Sequence, residues 1–110
     1  MHQSNIFVYT ELSKLSAGLS TVGEQVKQNL KSQAGYFNII TPKYFSDSLI
    51  GEWEDITGQI KKYGPSIGSD GLIRANAIIN TIDKMSSQEC IALTNQVLSL
   101  YEKVKLEFER

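Results

Sequence analysis

The sequence is short of the residues on which most catalytic sites depend. Its 110 residues hold one histidine, one cysteine, one tryptophan and two prolines. The histidine, His2, sits beside the N-terminus, where chains are poorly held, and reads as part of a frayed end rather than as a base or ligand. The lone Cys90 excludes an internal disulfide and fits a reducing, cytoplasmic setting. It reads as a small buried hydrophobe at a helix start. Without a second histidine or cysteine there is no zinc set. No Glu-x-x-His pair is present to hold a di-iron centre. G-x-S-x-G, H-E-x-x-H and P-loop patterns are missing as well. The expectation is a chain with no catalytic residues, no metal and no cofactor, and so not an enzyme.

Charge of one sign is also lacking. Eleven basic and twelve acidic residues leave a net charge of −1. That gives no long-range field for nucleic acid or an anionic membrane, and weighs against both as partners. No window approaches the ~20 apolar residues of a membrane span. The first residues lack the basic start, apolar middle and cleavage site of a signal peptide. With 41% hydrophobic and 21% charged residues, the composition is that of an ordinary globular protein. Residues 1–110 are expected to form a single domain with one modest core.

What is present is helical periodicity. Val8, Leu12, Leu15, Leu19, Val22 and Val26 alternate steps of four and three, a heptad seam that predicts a long first helix over residues 4–33. Gly18 and Gly23 flank the seam; each costs ~1 kcal/mol in a helix interior, and a neighbouring backbone coming close would explain them. At 1.5 Å per residue this helix is ~40 Å long, against a diameter of ~26 Å for a compact domain of this size, so its far end must bend, stay bare or meet a second molecule. Thr41-Pro42 reads as a cap followed by proline at the first helical position. Phe45, Leu49, Trp53, Ile56, Ile60 and Tyr63 then predict a second helix over 42–63, stopped by Gly64-Pro65. Ser69 or Asp70 can cap a third helix over 70–84, with Leu72, Ala75, Ile78, Ile79 and Ile82 inward. A tight joint at Met85-Ser86 leads into a fourth helix over 87–109. Its start carries a capping box, Ser86 and Glu89, with Met85 and Cys90 placed for a hydrophobic staple. Cys90, Leu93, Val97, Leu100, Tyr101, Val104 and Phe108, with Ile91 and Leu98 beside them, form an unusually broad apolar face. This helix should lie between at least two neighbours.

The fold expected is therefore all-α, an antiparallel four-helix bundle with a long first helix and a broadly buried C-terminal helix. The alternative is an α+β fold in which the β-prone residues 5–10 and 36–41 pair as a small ribbon.

Two surfaces merit a functional reading. On the back of the second helix, Gly51 and Gly58 lie about two turns apart, with Tyr44, Asp47, Asp55 and Lys62 around them. Glycines in an exposed helix interior cost stability without return unless another backbone comes close. Tyr44 would serve as an aromatic anchor there. Phe7, off the stripe of its own helix, is counted with them as partner-binding. Glu52, Glu54 and Asp55 flank the inward Trp53 and read as a solvated face. The second surface is Gly71 and Arg74 at the start of the third helix, where free N–H groups suit an anion, although Asp70 would repel one. The adjacent Lys61-Lys62 is accounted for by the dipole at a helix end.

The function these features favour is a non-catalytic protein-binding module: a small adaptor, an inhibitor or an immunity-type protein, acting through a helix face or as a homodimer. In size and element count the chain resembles small helical-bundle immunity proteins, a resemblance of fold only. The alternative is a small-molecule or nucleic-acid binder using the N-terminus of the third helix.

Overall fold

The computed structural model describes residues 5–109; His2 lies outside them. The chain is mostly helical, with a small two-stranded sheet. Six α-helices are formed among the described residues: α1 Asn5–Ala17, α2 Val26–Ser32, α3 Tyr36–Ile39, α4 Ile50–Ile60, α5 Ala77–Lys84 and α6 Ser87–Glu109. A 3-10 turn at Pro42–Tyr44 precedes α4, and strands β1 (Ser66–Ile67) and β2 (Ile73–Ala75) lie between α4 and α5.

The central element is α6, whose 23 residues span ~35 Å and pack against α1, α2 and α4. Cys90, Leu93, Val97, Leu100 and Val104 are buried along it, with Ile91 and Tyr101 half-buried beside them. The breadth of its apolar face thus reflects neighbours on several sides. Its start is closed as the sequence predicts. The Glu89 N–H donates to Ser86 Oγ at 3.0 Å, and the Ser86 N–H donates to the Glu89 carboxylate at 2.8 Å. Met85 and Cys90, the two staple positions, are both in the core.

The first helix is not continuous. It ends at Ala17, and helix resumes only at Val26. Gly18 hydrogen-bonds back to Leu15, and the Ser20 hydroxyl accepts from the Val22 N–H at 3.1 Å, a local turn that competes with the helical ladder. Val8, Leu12, Leu15, Val26 and Leu30 still face the core, Leu19 is only partly buried, and Val22 is exposed. The ~40 Å helix is thus interrupted at 18–25, and its two parts both pack against α6. No backbone approaches the seam glycines: a methyl on Gly18 would meet the Gln33 side chain, and one on Gly23 nothing.

The ribbon of residues 5–10 and 36–41 is not formed, because 5–10 belong to α1 and 36–39 to α3. Nor does helix begin at Pro42 and run on. Phe45 is extended after a single 3-10 turn, and α4 starts at Ile50. The Thr41 hydroxyl caps nothing. What holds this connection is aromatic. Trp53, fully buried, stacks with Phe37 (centroids 5.7 Å) and Phe45 (5.4 Å), and its indole N–H donates to the Ile40 carbonyl at 2.8 Å. The helix stops at Ile60, three residues short of the predicted end, and Gly64-Pro65 closes the turn beyond it. Gly64 takes φ +66°, the left-handed region that favours glycine, ahead of Pro65. Tyr63, expected inward, is half exposed instead.

Residues 66–75 are not the start of a helix. Ser66 pairs with Ala75 and Ile67 with Ile73, antiparallel and with an irregularity between. Gly71 at φ +82° turns the chain, and Asp70 accepts from the Leu72 N–H at 3.0 Å. Leu72, expected inward, is therefore exposed. The true cap of α5 is Asn76, whose side chain accepts from the Ile79 N–H at 2.9 Å.

Candidate functional site

Helical spacing divides α4 into two faces. Trp53, Ile56 and Ile60 point into the core, while Gly51, Asp55 and Gly58, at steps of four and three, line up on the opposite side. All three are exposed. A methyl built on Gly51 or on Gly58 would find nothing within 4 Å. No other part of the described chain covers this row.

The aromatic residues of the predicted site form a separate feature. Phe7 of α1 and Tyr44 of the 3-10 turn are half-buried and in contact, with centroids 4.7 Å apart and planes at 44°. Lys43 Nζ lies 5.3 Å from the Tyr44 ring centroid. The turn carrying Tyr44 packs against both α1 and α4. Asp47 is exposed in the connection that leads into α4. The structure thus joins Phe7 to Tyr44 and aligns Gly51, Asp55 and Gly58, with Asp47 on the chain between the two groups.

Asp55 also borders a cleft of about 330 Å³ between α4 and α6, lined by Glu52, Asp55, Ile56, Asn95, Gln96 and Ser99. Its polar rim is organised. The Gln59 side-chain amide donates to Asp55 Oδ2 at 2.9 Å and to Gln96 Oε1 at 2.8 Å, bridging the two helices. Lys103 Nζ sits 3.0 Å from both Glu52 carboxylate oxygens. Such exposed pairs fix side-chain positions and contribute little stability. The acceptor-rich rim suits hydrogen-bond donors and cations. Asn95, Gln96 and Ser99 escape sequence reasoning because they are ordinary polar positions on α6, some forty residues from Asp55 in a chain whose pairing is tertiary.

The predicted anion site loses its basis. Gly71 and Arg74 lie in the hairpin, not at a helix start. Arg74 pairs with Asp70 at 2.7 Å, and Asp70 Oδ1 already serves the turn. The other candidates read as structural. Burial pushes the Cys90 thiol above its ordinary range, the opposite of what a reactive thiolate requires. The Ser86 N–H holds the Glu89 carboxyl below its ordinary range. Among the described residues no group of three histidine, cysteine, aspartate or glutamate side chains is placed to hold a metal ion. No helix among them is long and apolar enough to cross a membrane.

No family model, curated protein or solved structure matches this chain.

Proposed function

We propose that this chain is a non-catalytic protein-binding module of the cytoplasm, a helical bundle organised around α6. It engages a protein partner, or a second copy of itself, through the outer face of α4. The observation that carries this reading is the open row of Gly51, Asp55 and Gly58 beside the carboxylate- and amide-rimmed cleft. Two glycines in an exposed helix interior cost ~2 kcal/mol together against alanine. Gly64 and Gly71 are explained by their positive φ, but Gly51 and Gly58 are not. A partner backbone seated on the row would recover the cost, because the missing side chains let it approach closely. The cleft would then take its donor groups, with Asp55 shared between row and cleft and the Phe7–Tyr44 pair offering an aromatic anchor nearby in the chain.

The double variant Gly51→Ala/Gly58→Ala tests this. Both methyl groups enter open space, so the free protein should gain up to ~2 kcal/mol and melt higher. Sedimentation and affinity recovery from the source cell, read beside the melting curve, should show loss of the dimer or of a partner that the wild type retains. A stabilised variant with unchanged oligomeric state and unchanged partner recovery would reduce the face to plain solvent surface.

A further inference from the structure

A second cleft lies where α3, the end of α4 and the start of α5 meet, and its chemistry is the reverse of the first. Two adjoining hollows of about 240 and 250 Å³ share Asn38 and Lys61. No carboxylate lines either one. The Lys61 side-chain ammonium makes no ion pair or hydrogen bond among the described residues, whereas its neighbour Lys62 pairs with Glu89 at 3.9 Å. The Asn38 side-chain amide is likewise without a partner. Asn76, which lines the second hollow, spends its oxygen on the Ile79 N–H, which leaves its amide N–H groups as donors. The Thr41 hydroxyl, on the wall of the first hollow, is buried and makes no hydrogen bond. A buried hydroxyl without a partner is unusual in a folded protein and calls for a reason. Half-buried Pro42 and the Thr57 methyl group supply apolar surface in the first hollow, which also borders the core residues Phe37 and Ile40.

We propose that this cleft binds a small organic anion. The charged group is held by Lys61 with the Asn38 and Asn76 amides, and the apolar body lies against Pro42 and Thr57 near Thr41. The class follows from the lining. An unpaired cation with neutral donors selects negative charge, and the absence of a competing carboxylate leaves that charge unopposed. The apolar wall adds nothing for a bare ion, so it selects an anion that carries an aromatic or aliphatic body. This site is independent of the α4 face and does not rest on the protein-binding reading.

The test is a titration of the full chain, labelled with nitrogen-15, with phenyl phosphate and with benzoate. Benzyl alcohol and inorganic phosphate serve as charge-free and body-free controls. The expected result is saturable movement of the Asn38 and Asn76 side-chain amide signals with either organic anion, and binding roughly tenfold weaker for both controls. Tighter binding of phenyl phosphate assigns a phosphate ligand, and tighter binding of benzoate a carboxylate. Lys61→Met should weaken the anions roughly tenfold or more, as loss of a charge-assisted hydrogen bond implies, with the melting temperature unchanged. Thr41→Val keeps the shape of the wall and should weaken them less. Benzyl alcohol binding as well as the anions, signals moving across all surface lysines, or Lys61→Met binding like wild type would each overturn the proposal.

Discussion

Residues 8–30 and residues 90–104 carry apolar side chains at the same three- and four-residue steps, yet the first stretch folds as two helices around a turn and the second as one unbroken helix. The difference lies between the apolar positions. Gly18, Ser20, Thr21 and Gly23 fall together in the first stretch, each a poor helix former, and Ser20 offers the backbone another hydrogen bond. From Ser87 to Glu109 there is neither glycine nor proline, and a capping box fixes where the helix starts. Apolar spacing states which residues turn inward. The residues between them decide whether the helix continues, and burial on several sides then holds α6 where one-sided packing did not hold 18–25.

The sharpest way to break this contrast is to place a charge in each stretch. Val97 is fully buried in α6, whereas Leu19 is only partly buried beside the turn. Val97→Asp should unfold the chain, since an unpaired buried charge costs several kcal/mol against a total stability of ~5–15 kcal/mol. Leu19→Asp should leave a cooperative melt at lowered temperature. Circular dichroism melts of the two variants check this, and equal loss would show that the turn is packed as firmly as α6.

A smaller effect is expected at the helix start. Ser86→Ala should cost about 1 kcal/mol by removing the cap from α6. Gly23→Ala, in open space and without positive φ, should instead stabilise by about 0.4–1 kcal/mol through the unfolded chain. Urea unfolding measures both. If Gly23→Ala fuses α1 and α2, amide exchange across 18–25 would slow to the rate seen within α6. Gly18→Ala should gain less, because its methyl must displace the Gln33 side chain.

The smallest effect concerns pH. The Ser86 N–H holds the folded Glu89 carboxyl below its ordinary range. A depressed folded value means that the contribution is present above the ordinary carboxylate range and is lost as pH falls through it. The stability difference between wild type and Glu89→Gln should therefore shrink as pH falls from about 5 to about 3. A difference that stays constant would show that the capping box works without the charge.

The sequence is most legible where a local hydrogen bond or a fixed backbone angle decides the outcome. Ser86-x-x-Glu89 closes α6 as its residue types require, and Gly64-Pro65 ends the turn beyond α4. Asp70-Gly71 between Ile67 and Ile73 is a hairpin turn signal as well as a possible helix cap, and the turn prevails, so α5 starts at Ala77 rather than at 70. The short helix α3 carries no such signal, since Tyr36–Ile39 is β-prone and is held as helix by the contact of Phe37 with Trp53. Of the candidate surface, Gly51, Asp55 and Gly58 follow from period alone. Asn95, Gln96 and Ser99, like Asn38 with Lys61, meet only after folding, so no local pattern announces them.

The seating of Trp53 gives the molecule an optical gauge of its own. It is the one tryptophan in the sequence, and its ring belongs to α4 while the groups around it, Phe37, Ile40 and Phe45, belong to the connection before that helix. Emission from this indole should be shifted to short wavelength while the connection is docked. It should move to the red when the connection lifts, whether or not α4 and α6 have lost their helicity. Fluorescence and far-ultraviolet dichroism, followed together, would then separate loosening of residues 35–45 from collapse of the whole fold.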